Sequence, residues 1–109
     1  MTEYQKRLLS RMKKLINDGC KKFEERKDRD YVQDLLNIGI TLDEAWQEIL
    51  SLSSINYFPD QRPIYLKKGD DALVFKKSIN NNIVYIKIKM EPYNNHETTV
   101  CLSFHIDHK

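Results

Sequence analysis

Three segments in the second half of the chain alternate between apolar and polar residues with the period of a β-strand. They read Ala72-Leu73-Val74-Phe75-Lys76-Lys77, Ile83-Val84-Tyr85-Ile86-Lys87-Ile88-Lys89 and Thr99-Val100-Cys101-Leu102-Ser103-Phe104-His105. Successive strand residues point to opposite faces of a sheet. The middle segment therefore puts Val84, Ile86, Ile88 and Met90 on a core face and Tyr85, Lys87 and Lys89 on the other. The last segment reads the same way, with Val100, Leu102, Phe104 and Ile106 inward and Cys101, Ser103 and His105 outward. In the first, Leu73 and Phe75 face the core while Val74 and Lys76 face out. Asn80-Asn81-Asn82 marks a tight turn, because Asn tolerates positive φ. Pro92-Tyr93-Asn94-Asn95-His96 reads as the next hairpin loop. Pro63-Ile64-Tyr65-Leu66 is a candidate edge strand, closed by a turn at Lys68-Gly69-Asp70.

The first half follows the helical period. Tyr4, Leu8, Leu9, Met12, Leu15 and Ile16 form one stripe, stopped at Gly19. Asp30 is a candidate cap for a second helix through Tyr31, Leu35 and Leu36, ending at Gly39. Thr41-Leu42-Asp43-Glu44 fits a capping box, and the third helix it opens carries Leu42, Ala45, Trp46, Ile49 and Leu50 on its apolar face. Between the first two helices, Cys20 to Arg29 is highly charged around one aromatic, Phe23, and reads equally as helix extension, loop or short strand.

Helices followed by strands predict an α+β fold, with N-terminal helices packed on one face of an antiparallel sheet. At 109 residues, 40% hydrophobic and 31% charged, the chain suits a single domain, helical over 1–52 and sheet over 56–109. No run is long enough for a membrane span and the N-terminus carries no apolar leader, so a cytoplasmic protein without membrane contact is expected. Cys20 and Cys101 are too few and too isolated for a disulfide framework, and no histidine cluster calls for a metal.

The net charge of +2 conceals a division: ten Lys/Arg against five Asp/Glu in residues 1–29, none against six in 30–61, and eight against five in 62–109. Such polarity can steer an anionic partner, although solvated helix and strand faces produce it as well.

The outward face is where chemistry is expected. Cleaving RNA without a metal requires a group to deprotonate the ribose 2′-OH, a group to protonate the leaving oxygen, and cations for the phosphorane charge. His105 supplies an imidazole, which titrates near neutrality. Tyr85, Lys87 and Lys76 are candidate phosphate donors, with Arg62, Lys67 and Lys89 as further RNA contacts. The plainer alternatives are an ordinary surface histidine, a tyrosine covering its cross-strand neighbour, and lysines that protect sheet surface or edge. His96 and His108, in a loop and a tail, are assigned nothing. The chain shows no P-loop, no Gly-rich dinucleotide turn and no nucleophile motif, and no cofactor is called for.

Several motifs occur in a telling order: Leu9-Ser10, Lys13 to Asn17 with Gly19, Leu36 to Ile40, the Thr41–Leu52 helix ending Leu52-Ser53, Val84-Tyr85-Ile86-Lys87-Ile88, and Ser103-Phe104. In that order they resemble the MqsR-type toxins of bacterial toxin–antitoxin pairs, and the likeness covers most of the chain. It implies a RelE-like fold and an endoribonuclease that cuts mRNA without a metal. It also implies neutralisation by a cognate antitoxin, with operator DNA met only through that antitoxin. Tyr85 carries over from the family's functional positions, and His105 stands where the family has a basic residue after Ser-Phe. The chain departs from the pattern at Pro59, where the family has a functional lysine, and near Ala72, where a functional glutamine has no counterpart. The charged Lys21–Arg29 stretch and the Glu91–Glu97 hairpin are longer than the family's core.

Three functional readings follow: an mRNA interferase acting by 2′-OH attack, a non-catalytic RNA- or protein-binding module on the same scaffold, and a ribosome-dependent mRNA nuclease.

Overall fold

Each helix begins on a side chain that satisfies amides its own first turn leaves unpaired. Thr2 and Gln5 form a reciprocal box at α1 (Glu3–Asn17), Asp30 accepts from Val32 and Gln33 at α2 (Tyr31–Ile38), and Thr41 and Glu44 close the expected box at α3 (Leu42–Leu50). Gly19 and Gly39 adopt φ of 84° and 88°, which ends α1 and α2 where the sequence indicates. The computed structural model describes residues 1–25, 27–59 and 72–107. The candidate edge strand Pro63–Leu66, its closing turn, and Arg62 and Lys67 lie outside the described residues.

The described sheet has four strands in the order β1-β4-β3-β2, with β1 Lys21–Phe23, β2 Leu73–Ile79, β3 Asn82–Tyr93 and β4 His96–Ile106. β2, β3 and β4 form the expected antiparallel meander. The sheet as a whole is mixed rather than antiparallel, because β1 pairs in parallel with β4, setting Lys22 beside Val100 and Phe23 beside Cys101. The undecided Cys20–Arg29 stretch thus contributes a strand. Its one aromatic explains why: Phe23 packs 4.9 Å from Trp46 and 5.1 Å from Tyr31, ring centre to ring centre, and anchors the strand to both helices.

Both hairpins turn on two asparagines. Asn80 and Asn81 have φ of 50° and 66°, Asn94 and Asn95 of 46° and 66°, the geometry of tight turns whose twist matches the strands. The second loop is therefore shorter than the sequence suggests, and Pro92, Tyr93 and His96 belong to strands.

The core lies between the helices and one sheet face. Leu8, Leu9, Met12 and Ile16 of α1 meet Leu35 and Ile38 of α2, Ala45, Trp46 and Ile49 of α3, and Leu73, Phe75, Val84, Ile86, Ile88 and Phe104 of the sheet. Tyr4, Leu36 and Leu42, expected on apolar stripes, are instead largely exposed at helix ends and outer faces.

A β-bulge opposite Lys87 and Ile88 corrects the last strand. Ser103 pairs with Lys87 and Cys101 with Ile88, so Leu102 is the extra residue. Before the bulge the faces exchange: Cys101 and Thr99 turn into the core, and Val100 moves to the opposite face between Lys22 and Lys89. Val100 is nonetheless fully buried, and Val74, opposite Lys87, is 3% exposed. Lysine stems beside them are suited to cover apolar surface while their ammonium groups stay wet.

Candidate nucleic-acid interface

The sheet face away from the helices collects the candidates, and register fixes their order. Lys76 of β2 opposes Tyr85 of β3, which opposes His105 of β4, giving one rung across three strands. The next rung runs Val74, Lys87, Ser103. Directly opposed side chains in antiparallel strands stand about 5 Å apart at Cβ, so a phenol, an imidazole and two ammonium groups share one neighbourhood. Lys89 lies one further step along β3 on the same face.

The Tyr85 and His105 rings stack with centroids 5.3 Å apart and planes 21° from parallel. His105 Nδ1 lies 3.0 Å from the Ile106 carbonyl. A carbonyl can only accept, so Nδ1 carries the proton in this contact, and in the neutral ring Nε2 keeps the lone pair. A backbone contact of this kind fixes both ring orientation and tautomer, which is what a general base requires of its surroundings.

The cations differ in how far they are already engaged. Lys76 Nζ lies 2.7 Å from Asp107 Oδ2 and 3.9 Å from the centre of the Phe58 ring, so it is paired before any ligand arrives. Asp107 is held by the hydrogen bond that its backbone N–H donates to the Ile83 carbonyl at 2.8 Å. Lys89 and Lys22 both approach Glu91, at 3.0 and 3.8 Å. The Lys87 side chain, half-buried on the same face, has no hydrogen bond or ion pair among the described residues. It is the cation most ready to accept a phosphate.

Among the described residues, four carboxylates of the acidic middle are already engaged. Asp34 binds Arg29, Glu48 binds Lys77, and Asp30 and Glu44 are spent on helix caps. Charge counting along the sequence could not show that these carboxylates are already engaged within the molecule.

Sequence reasoning passed over three groups that the fold brings to this face. Phe58 is placed by the bond from its amide to the Val74 carbonyl. Tyr93 and His96 oppose each other across the second hairpin, with ring centres 5.9 Å apart. The Asn94-Asn95 pair, read as the same two-residue turn as Asn80-Asn81, would have placed both on strands.

Among the described residues, no group of three or more His, Cys, Asp or Glu is arranged to hold a metal ion. No described helix is long and apolar enough to cross a membrane. No family model, curated protein or solved structure matches the chain.

Proposed function

We propose that the protein is a metal-independent endoribonuclease toxin of the MqsR type, with a RelE-like fold, cutting mRNA by 2′-OH attack and neutralised by a cognate antitoxin. The observation that carries this reading is the Lys76–Tyr85–His105 rung with Lys87 beside it, one acid–base group and three phosphate donors on the sheet face away from the helices. His105 Nε2 takes the proton of the 2′-OH, whose oxygen attacks the adjacent phosphorus. The bond from phosphorus to the 5′ oxygen breaks and that oxygen takes up a proton from water, leaving a 2′,3′-cyclic phosphate and a 5′-hydroxyl. Lys87 and the Tyr85 hydroxyl donate to the non-bridging oxygens as their charge grows.

A non-catalytic binder on the same face is the competing reading. It is favoured by the ion pair that already neutralises Lys76. Purified protein incubated with a long RNA in EDTA separates the two. Discrete cuts ending in cyclic phosphate, lost in His105→Ala and Tyr85→Phe, support the nuclease and its site. Binding without cuts, unchanged when ribosomes are added, supports the binder; cuts only with ribosomes support a ribosome-dependent nuclease.

A further inference from the structure

On the sheet face away from the helices, β3 ends in the same pair of residues at both extremities. Tyr85 opposes His105 at one end and Tyr93 opposes His96 at the other, each tyrosine facing a histidine directly across the β3–β4 register. The histidines are held alike, His105 by Nδ1 on the Ile106 carbonyl and His96 by Nδ1 on the Glu97 carbonyl at 3.1 Å. Tyr93 lies eight positions beyond Tyr85 on the same side of the strand. At the rise of an extended strand that separates the pairs by about 26 Å.

Lys87 and Lys89 stand between them. Same-face neighbours on a strand are about 6.7 Å apart, comparable to the spacing of successive phosphates in an extended single strand. Beyond Lys89, Glu91 would repel a phosphate, but Lys89 at 3.0 Å and Lys22 at 3.8 Å offset its charge. Lys22 Nζ also lies 5.8 Å from the centre of the ring of Tyr93, a residue that is 53% exposed. The far end is built from two chain segments distant in sequence, the charged stretch carrying β1 and the second hairpin. The hairpin is tethered in turn to α1 by an Arg11–Glu97 ion pair.

We infer that Tyr93, with His96 and Lys22, forms a distal subsite that stacks a nucleobase of the same single-stranded RNA whose phosphate lies at Tyr85 and His105. Lys87 and Lys89 hold the phosphates between. The inference rests on the ribonuclease reading of this face and adds a direction and a length to its substrate: the strand runs along β3, across several nucleotides. Every base offers a π-face, so an aromatic platform of this kind tolerates sequence, and an ammonium group beside the ring adds attraction.

The test uses fluorescently labelled 2′-O-methyl RNA, which binds but cannot be cut by 2′-OH attack. Oligonucleotides of about two to about sixteen nucleotides span the range of single-strand site sizes. Wild type is expected to bind more tightly with length until the strand reaches Tyr93. Tyr93→Ala then weakens the longest RNA about tenfold, the scale of one lost base stack, and flattens the dependence on length. Tyr93→Phe, which keeps the ring, retains wild-type affinity. A Tyr93→Ala protein that binds every length as wild type does would overturn the subsite and leave the nuclease reading intact. Wild type that neither binds nor cuts RNA of any length would overturn both.

Discussion

Tyr85 and His105 face each other across β3 and β4 with their rings stacked 5.3 Å apart, a contact set by the strand register of the second hairpin. The stack orients an imidazole whose Nδ1 is committed to the backbone, and it ties the proposed acid–base group to the most regular strand in the chain. The two roles of His105, packing and proton transfer, can be separated by substitution.

His105→Phe keeps an aromatic ring against Tyr85 but removes the titratable nitrogen. It is expected to fold normally and to bind RNA, while single-turnover cleavage falls by about 100-fold or more, the usual worth of a general acid–base group. Equal cleavage by the variant would remove His105 from the chemistry.

Lys87 is half-buried and its side chain has no hydrogen bond or ion pair among the described residues, so its removal breaks no internal polar contact. Lys87→Ala should weaken RNA binding similarly for all sequences and reduce the slope of log affinity against log salt by about one. Filter binding at several salt concentrations on two unrelated RNAs checks both.

Asp107 competes with any phosphate for Lys76. Asp107→Asn removes the competing charge and is expected to tighten RNA binding and steepen its salt dependence. A protein whose affinity falls instead would show that Asp107 serves to position Lys76.

Cys101 is fully buried, and burial pushes its thiol well above the ordinary value of 9.0. Above about pH 9 the unfolded chain releases the thiol proton while the folded chain keeps it. Cys101 therefore favours the folded state most below that pH, and stability should decline as pH rises further. Denaturant titrations of wild type and Cys101→Ala between neutral and alkaline pH should show a shallower decline in the variant. In native protein, alkylation should reach half-buried Cys20 and spare Cys101.

Two stability measurements separate local from tertiary contributions. Thr41→Ala removes the cap of α3 and should cost about 1 kcal/mol. Ile86→Ala, at a fully buried central-strand position, should cost about 2–5 kcal/mol. Urea unfolding measures both.

The α+β order, the caps at Asp30 and Thr41, the glycine stops and the facing of β2 and β3 were all legible because each depends on neighbours within a few residues. Tyr85, Lys87 and Lys76 were assigned to one face by period-two alternation, and the register agrees. The bulge was not legible. Val100, Cys101 and Leu102 are all apolar, so a slip of one residue leaves the pattern unchanged, and only the pairing with Ile88 decides that Cys101 turns inward.

Other features depended on contacts between distant segments. A three-residue strand has too little periodicity to announce itself, and β1 exists because Phe23 fits against Trp46 and Tyr31. Whether a carboxylate or lysine is free was equally hidden: Asp34, Glu48, Asp107 and Glu91 are engaged by partners that the fold supplies. By itself the sequence determined the three helices, the caps at Asp30 and Thr41, the three meander strands and the side on which most of their residues fall, since hydrogen-bonding needs and side-chain period act locally. Tertiary structure decided the parallel edge strand, the bulge, and which charges remain for a partner, because these depend on which distant residues come within contact distance.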